Sequence, residues 1–158
     1  MEDGQTELQP ATPPGFVERV RRLFGRGGPR ARVTVSSPAC LGASLDVQWS
    51  LEPARGATLV LVTLVGREVV RRRVSARTGI SIVPERHDFC VVELDRRAHE
   101  PGGARAGGEG ATVVPSGGVP SFAAKVNEVA WSVVVDVSWG EARTSRHEFP
   151  LAMLPERG

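Results

Sequence analysis

The stretch VPSFAAKVNEVAWSVVVDVSW, residues 119–139, decides how this chain is built. From Val129 onward every odd position is apolar: Val129, Trp131, Val133, Val135, Val137 and Trp139. Ser132, Asp136 and Ser138 take even positions. Successive side chains of a strand point to opposite faces, so a period of two predicts a strand with one buried face. An inward tryptophan fills the space between two sheets and buries a large apolar area. Pro120-Ser121-Phe122 predicts an extended lead-in, because proline fixes its own φ and pushes the residue before it away from helix. Phe122 is expected to cap the core and Trp49 to pack against Trp131. Trp139, nearest the strand end, is expected to be the most exposed tryptophan.

Outward from this stretch the same alternation recurs. ARVTV (31–35) puts Val33 and Val35 on one side, and SLDVQWSLE (44–52) turns Leu45, Val47, Trp49 and Leu51 inward. TLVLVTLV (58–65) is apolar on both faces, as in a central strand covered on both sides or paired at an obligate contact. It continues through Gly66, the expected place of a bulge or bend, into REVVRRRV (67–74). GISIV (79–83), DFCVVELD (88–95), GATVVP (110–115) and TSRHEFPL (144–151) complete the set. HEPGGARAGGEGA (99–111) reads as a Gly-rich loop. About 7–8 strands with turn signals between them, and no helical period after residue 24, predict an all-β, antiparallel sandwich. A closed barrel is the structural alternative.

The N-terminal part differs. Residues 1–13 are polar, without periodicity, and predict a disordered tail. In PGFVERVRRLF (14–24), Phe16, Val17, Val20, Leu23 and Phe24 share one side of a helix, with Arg19 and Arg22 among the charged residues opposite. Pro14 and Gly25 suit its two ends. At about three turns this helix needs something to bury its apolar face. Residues 25–31 read as a flexible linker, and residues 32–155 as the sandwich.

Three features of that body resemble an arrestin-like lobe, the immunoglobulin-like sandwich of arrestins and retromer-type sorting subunits, which also occurs in bacterial proteins. PACLGASLDVQWSLE (38–52) is a small-residue turn feeding an alternating strand. TLVLVTLVGRE (58–68) is similar to the family's strand closing on a glycine and an acid. VPSF (119–122) with Trp131, followed by HEFPLAMLP (147–155), resembles the family's strand pair and returning terminal strand. Arrestins have two such lobes and this chain has one. It also lacks a counterpart of the buried charged cluster that senses receptor phosphates. The resemblance therefore implies a binding scaffold, with phosphoreceptor recognition not carried over.

The remaining features narrow the function classes. The net charge is +2, and 19 of the 20 basic residues are Arg, with Lys125 the exception. So balanced a charge, with no Tyr and no aromatic platform, argues against nucleic acid. The first fifteen residues hold no apolar signal core, and no apolar run reaches membrane-spanning length. A cytoplasmic protein with reduced Cys40 and Cys90 is expected, with Cys90 packing as a small hydrophobe beside Val92 and Leu94. His87 and Cys90, three apart on a strand, diverge, so no metal site is expected. No nucleophile elbow or phosphate loop occurs. No cofactor and no enzyme activity are expected.

Arg71, Arg72 and Arg73 place two arginines on one strand face and one on the other. Charges on an exposed edge discourage edge pairing, and Arg71 and Arg73 could also meet an acidic partner. The expectation is a non-enzymatic adaptor that binds another protein through the sandwich surface. A tethered helix would add Phe16, Val17, Arg19, Val20, Arg22, Leu23 and Phe24 to that contact. The alternatives are an assembly subunit, with LVLVTLV or an edge strand buried in an oligomer, and a scaffold held weakly at a membrane surface by the helix. The sequence leaves the oligomeric state open.

Overall fold

The computed structural model of the chain describes residues 4–11 and 29–158. Among these residues the structure is all-β: β1 (Gly4–Leu8), β2 (Arg30–Ser37), β3 (Ser44–Glu52), β4 (Ala57–Ala76), β5 (Gly79–Ala98), β6 (Ala106–Val113), β7 (Phe122–Ala123), β8 (Asn127–Trp139) and β9 (Arg143–Leu151). One sheet has the order β1-β2-β3-β6. The other runs β5-β4-β8-β7, with β9 also paired to β8. All pairings between strands are antiparallel. The two sheets enclose one core, in which Val33, Val47, Trp49 and Leu51 face Val60, Val62, Leu64, Trp131, Val133 and Phe149. The predicted helix over 14–24, and residues 25–28 of the predicted linker, lie outside the described residues.

The opening stretch folds as its alternation requires. Val129, Trp131, Val133, Val135 and Val137 are buried, while Trp139 is half-buried. Trp131 is 1% exposed, and its Nε1–H donates to the Val119 carbonyl at 2.8 Å. Ser121 ties the same lead-in to the end of the chain. Its backbone N–H donates to the Met153 carbonyl (2.9 Å), its hydroxyl donates to the Leu151 carbonyl (3.3 Å), and Met153 N–H returns a bond to the hydroxyl oxygen (2.9 Å). The lead-in, the tryptophan and the terminal strand are therefore one hydrogen-bonded unit.

Two aromatic expectations need correction. Phe122 does not cap the core; it is 40% exposed at the sheet edge. Trp131 makes its edge-on ring contact with Phe89, centroids 5.5 Å apart. Trp49 is in the same core, but its Nε1–H reaches across to Asp95 Oδ2 of the other sheet at 2.8 Å. A buried indole N–H needs an acceptor, and each of these two has found one.

Three boundaries also differ from expectation. Gly4–Leu8, inside the expected disordered tail, pairs with Val33–Ser37 and buries Leu8. GISIV and DFCVVELD are one continuous strand, β5. Pro84 lies between them, within the strand. Arg71 N–H points away from β5, to the Val126 carbonyl. Its antiparallel partner Pro84 must then turn its own nitrogen to the free edge, where a proline removes no ladder bond.

Half of the expected Gly-rich loop is β6, paired along β3 from Val113 to Ala106. Its glycines answer a lack of space. A Cβ on Gly108 would run into Asp95 and Trp49, and one on Gly110 into the Leu94 carbonyl. The strand passes over the hydrogen bond that joins the sheets.

Strand β4 is central, between β5 and β8; of LVLVTLV, Val60, Val62 and Leu64 are buried in the core, while Leu59 and Leu61 are half-buried. The register shift between Gly66 and Arg67 sits where the glycine predicted a bulge. It keeps Phe89 over Gly66, which has no room for a side chain.

Candidate interaction surface

The outer face of the five-stranded sheet carries a groove of about 820 Å³. It arises from side-chain size. On β8 the outward positions Ala130 and Ser132 are small, so the sheet dips there between longer neighbours. Val65, Val69 and Val134 complete an apolar floor, and Pro84 and Pro150 close its sides. Arg67, Arg71, Arg86 and Arg146 stand around it with Glu128 and Glu148. Ala11, whose N–H donates to the Glu148 carbonyl at 2.7 Å, lies on the rim.

The charges are held in a chain across the strands. Arg67 Nε donates to Asp88 Oδ1 of β5 at 2.6 Å, and Nη1 reaches diagonally across β8 to Glu148 Oε1 of β9 at 3.4 Å. Arg146 pairs with Asp136 through two bonds, at 2.8 and 3.0 Å. The hydrogen bond from Arg67 holds the Asp88 carboxyl below its ordinary range, against the opposing effect of burial. The Asp88 bond likewise raises the Arg67 guanidinium, and the Asp136 bond raises that of Arg146. Oriented, permanently charged guanidinium groups beside an apolar floor suit a partner with both apolar and acidic groups.

The predicted residues fall in two places. Arg71 lines the groove and pairs with Glu128 at 3.1 Å. Arg73 shares its face of β4 but lies further along, where β4 and β5 alone continue as a ribbon. Arg72 is on the other face and pairs with Glu85 at 3.0 Å. All three arginines follow Val70, the last residue of β4 paired with β8, so they stand where β4 has β5 on one side only.

Phe16, Val17, Arg19, Val20, Arg22, Leu23 and Phe24 lie outside the described residues. The sequence reading missed Arg67, Arg86, Arg146 and Glu148. The small outward side chains of β8 were the available signal.

Elsewhere, His99 bridges its own loop, with Nε2 3.0 Å from the Gly103 carbonyl. Cys90 packs against the core as expected, and burial pushes its thiol pKa up. Among the described residues no group of three or more His, Cys, Asp or Glu side chains could hold a metal ion. No helix there is long and apolar enough to cross a membrane.

No family model matches the sequence, and no curated protein matches it. Among solved structures, the fold matches the crystal structure of Spo0M, the sporulation control protein from Bacillus subtilis, with a TM-score of 0.54. Sequence identity is 9%, across 83% of this chain and 51% of that one. This chain therefore spans about half the length of Spo0M, and the likeness is one of fold. Both the motifs around Trp131 and this match lead to the same architecture: the chain folds as an arrestin-like β-sandwich of the bacterial Spo0M type.

Proposed function

We propose that this chain is a non-enzymatic adaptor that holds another protein in the groove on the outer face of its five-stranded sheet. The observation that carries this is the dip over Ala130 and Ser132, apolar at its floor and ringed by oriented arginines. Such a surface offers apolar burial for affinity and guanidinium forks for register. Ala11, at the rim, is the last described residue before the amphipathic segment. Phe16, Val20, Leu23 and Phe24 follow Ala11 by 5 to 13 residues and are thus tethered beside the groove. A second weak contact on the same chain gains through effective concentration. The sandwich supplies a rigid platform, and the arrestin-like fold is compatible with regulation by binding.

The test is affinity capture from native lysate, followed by calorimetry with the purified captured protein. The full chain is compared with Ala130→Gln, which fills the dip, and with a Phe16→Ala, Leu23→Ala, Phe24→Ala variant. The reading expects one protein whose binding Ala130→Gln weakens at least tenfold and the triple variant weakens further. Capture that neither variant alters would overturn it.

A further inference from the structure

Beyond Val70 the pairing of β4 with β8 ends, whereas β4 and β5 stay paired out to Ala76 and Gly79. Residues 71–89 are all exposed. The sandwich therefore projects a two-stranded ribbon closed by Arg77 and Thr78. A soluble ribbon of this kind is expected to be polar, yet this one shows Ile80 at 71%, Ile82 at 64%, Val74 at 45% and Val83 at 44% exposure. The register places Arg73 opposite Ile82 and Arg72 opposite Val83. These pairs lie on opposite faces, so each face combines an aliphatic side chain with a guanidinium.

A neighbouring segment has the same character. Arg71 N–H holds the Val126 carbonyl at 2.8 Å, which fixes Val126, 60% exposed, and Lys125 at the base of the ribbon. Residues 71–89 and 125–128 carry six cations, Arg71, Arg72, Arg73, Arg77, Arg86 and Lys125, against Glu85, Asp88 and Glu128. The whole chain is only +2, so this end is basic and the rest is net negative. The overall balance conceals a polarised molecule.

We infer that this ribbon is a docking element for an anionic lipid surface. Three observations favour that occupant. Aliphatic and cationic groups occur together, as an interface of acyl chains and acidic headgroups requires. They occur on both faces, which suits a surrounding medium better than a partner that covers one face. Pairing with a second copy along the free edge of β5 is blunted by Pro84 and by Glu85, Arg86 and Asp88 after it. The dimensions also agree. From the Ala76–Gly79 pair back to the Arg73–Ile82 pair is three residues, about 10 Å of strand, close to the depth at which interfacial elements settle.

The experiment is co-sedimentation of the purified full chain with phosphatidylcholine vesicles, with and without about one-third phosphatidylserine. Four variants are compared: Ile80→Ser with Ile82→Ser, Arg73→Ser with Arg77→Ser, Arg105→Ser as a distant control, and Phe16→Ser with Leu23→Ser and Phe24→Ser. Circular dichroism confirms that each is folded. The wild type is expected to bind the anionic vesicles only, and less as salt rises. The arginine pair should weaken binding by roughly twenty-five-fold, about fivefold for each charge removed. The isoleucine pair should weaken it at least tenfold, and Arg105→Ser should leave it unchanged. The proposal is overturned if the wild type stays in solution, or if only the Phe16, Leu23, Phe24 variant loses binding. It is equally overturned if sedimentation shows a dimer that the isoleucine pair abolishes, since a second copy would then be the occupant.

Discussion

Replacing Trp131 with phenylalanine separates two contributions that meet at one side chain. The indole is 1% exposed, touches Phe89 edge-on at 5.5 Å, and donates to the Val119 carbonyl at 2.8 Å. Phenylalanine keeps an aromatic body but loses the N–H and part of the volume. The lost hydrogen bond should cost about 1 kcal/mol, since the carbonyl is left without its donor in a half-buried site. The smaller ring leaves space that the packed β8–β9 pair can close only in part, for about 1–2 kcal/mol more. The sum, about 2–3 kcal/mol, is a large fraction of a typical domain's 5–15 kcal/mol. Trp139 provides the internal control. It lies on the same face of β8 but is half-buried, with its Nε1–H on Ser145 Oγ at 2.9 Å and Arg143 over its ring at 5.6 Å. Trp139→Phe should cost less than about 1 kcal/mol, as surface contacts do. Urea unfolding followed by far-ultraviolet circular dichroism reads both, and an unchanged slope would show that the denatured states are comparable. Equal losses for the two variants, or a loss under about 0.5 kcal/mol at Trp131, would refute the assignment of Trp131 as the anchor of the lead-in.

Gly110→Ala should lower the thermal midpoint, with a loss of about 1–3 kcal/mol, because its methyl would meet the Leu94 backbone carbonyl. Gly117→Ala, at a site with open space around it, should be close to neutral in the same melt. Asp88→Asn tests the charge chain. Because Arg67 lowers the folded-state pKa of Asp88, its stabilisation is present above the ordinary carboxylate value of about 3.9 and is lost as pH falls through the folded value. With the Asp88 side chain 39% exposed, solvent screening limits the effect to a few tenths of a kcal/mol at pH 7. Urea midpoints of wild type and Asp88→Asn should therefore differ at pH 7, and the gap should close as the pH falls below the ordinary carboxylate value and through the folded one. A gap that widens in acid would be the wrong sign.

Much of the architecture was legible because burial imposes a period on each strand. The alternation of 44–52 and 129–139 identified β3 and β8. The two-sided apolar run at 59–65 identified a central strand, and the motifs around Trp131 pointed to the arrestin-like fold. Local signals failed where the deciding partner was distant in sequence. GISIV and DFCVVELD read as two strands, yet they are one, because the free edge of β5 makes the missing N–H of Pro84 harmless. Gly107, Gly108 and Gly110 read as a loop until Leu94, Asp95 and Trp49 show why no side chain fits. Gly4–Leu8 has no pattern of its own and becomes a strand by pairing with β2.

The groove and the ribbon illustrate the same division. Sequence alone determined the composition of both: small outward residues on β8, three consecutive arginines, and a GISIV run after a turn. Only the tertiary structure brought Arg67 across β8 to Glu148, residues 81 apart in sequence. Only the point at which β8 stops pairing with β4, while β5 continues, turned an ordinary apolar strand into a projecting basic ribbon. Side-chain periodicity is a local property that the chain carries with it. Which face is covered, and where a sheet ends, depends on pairings between segments that the local sequence does not encode.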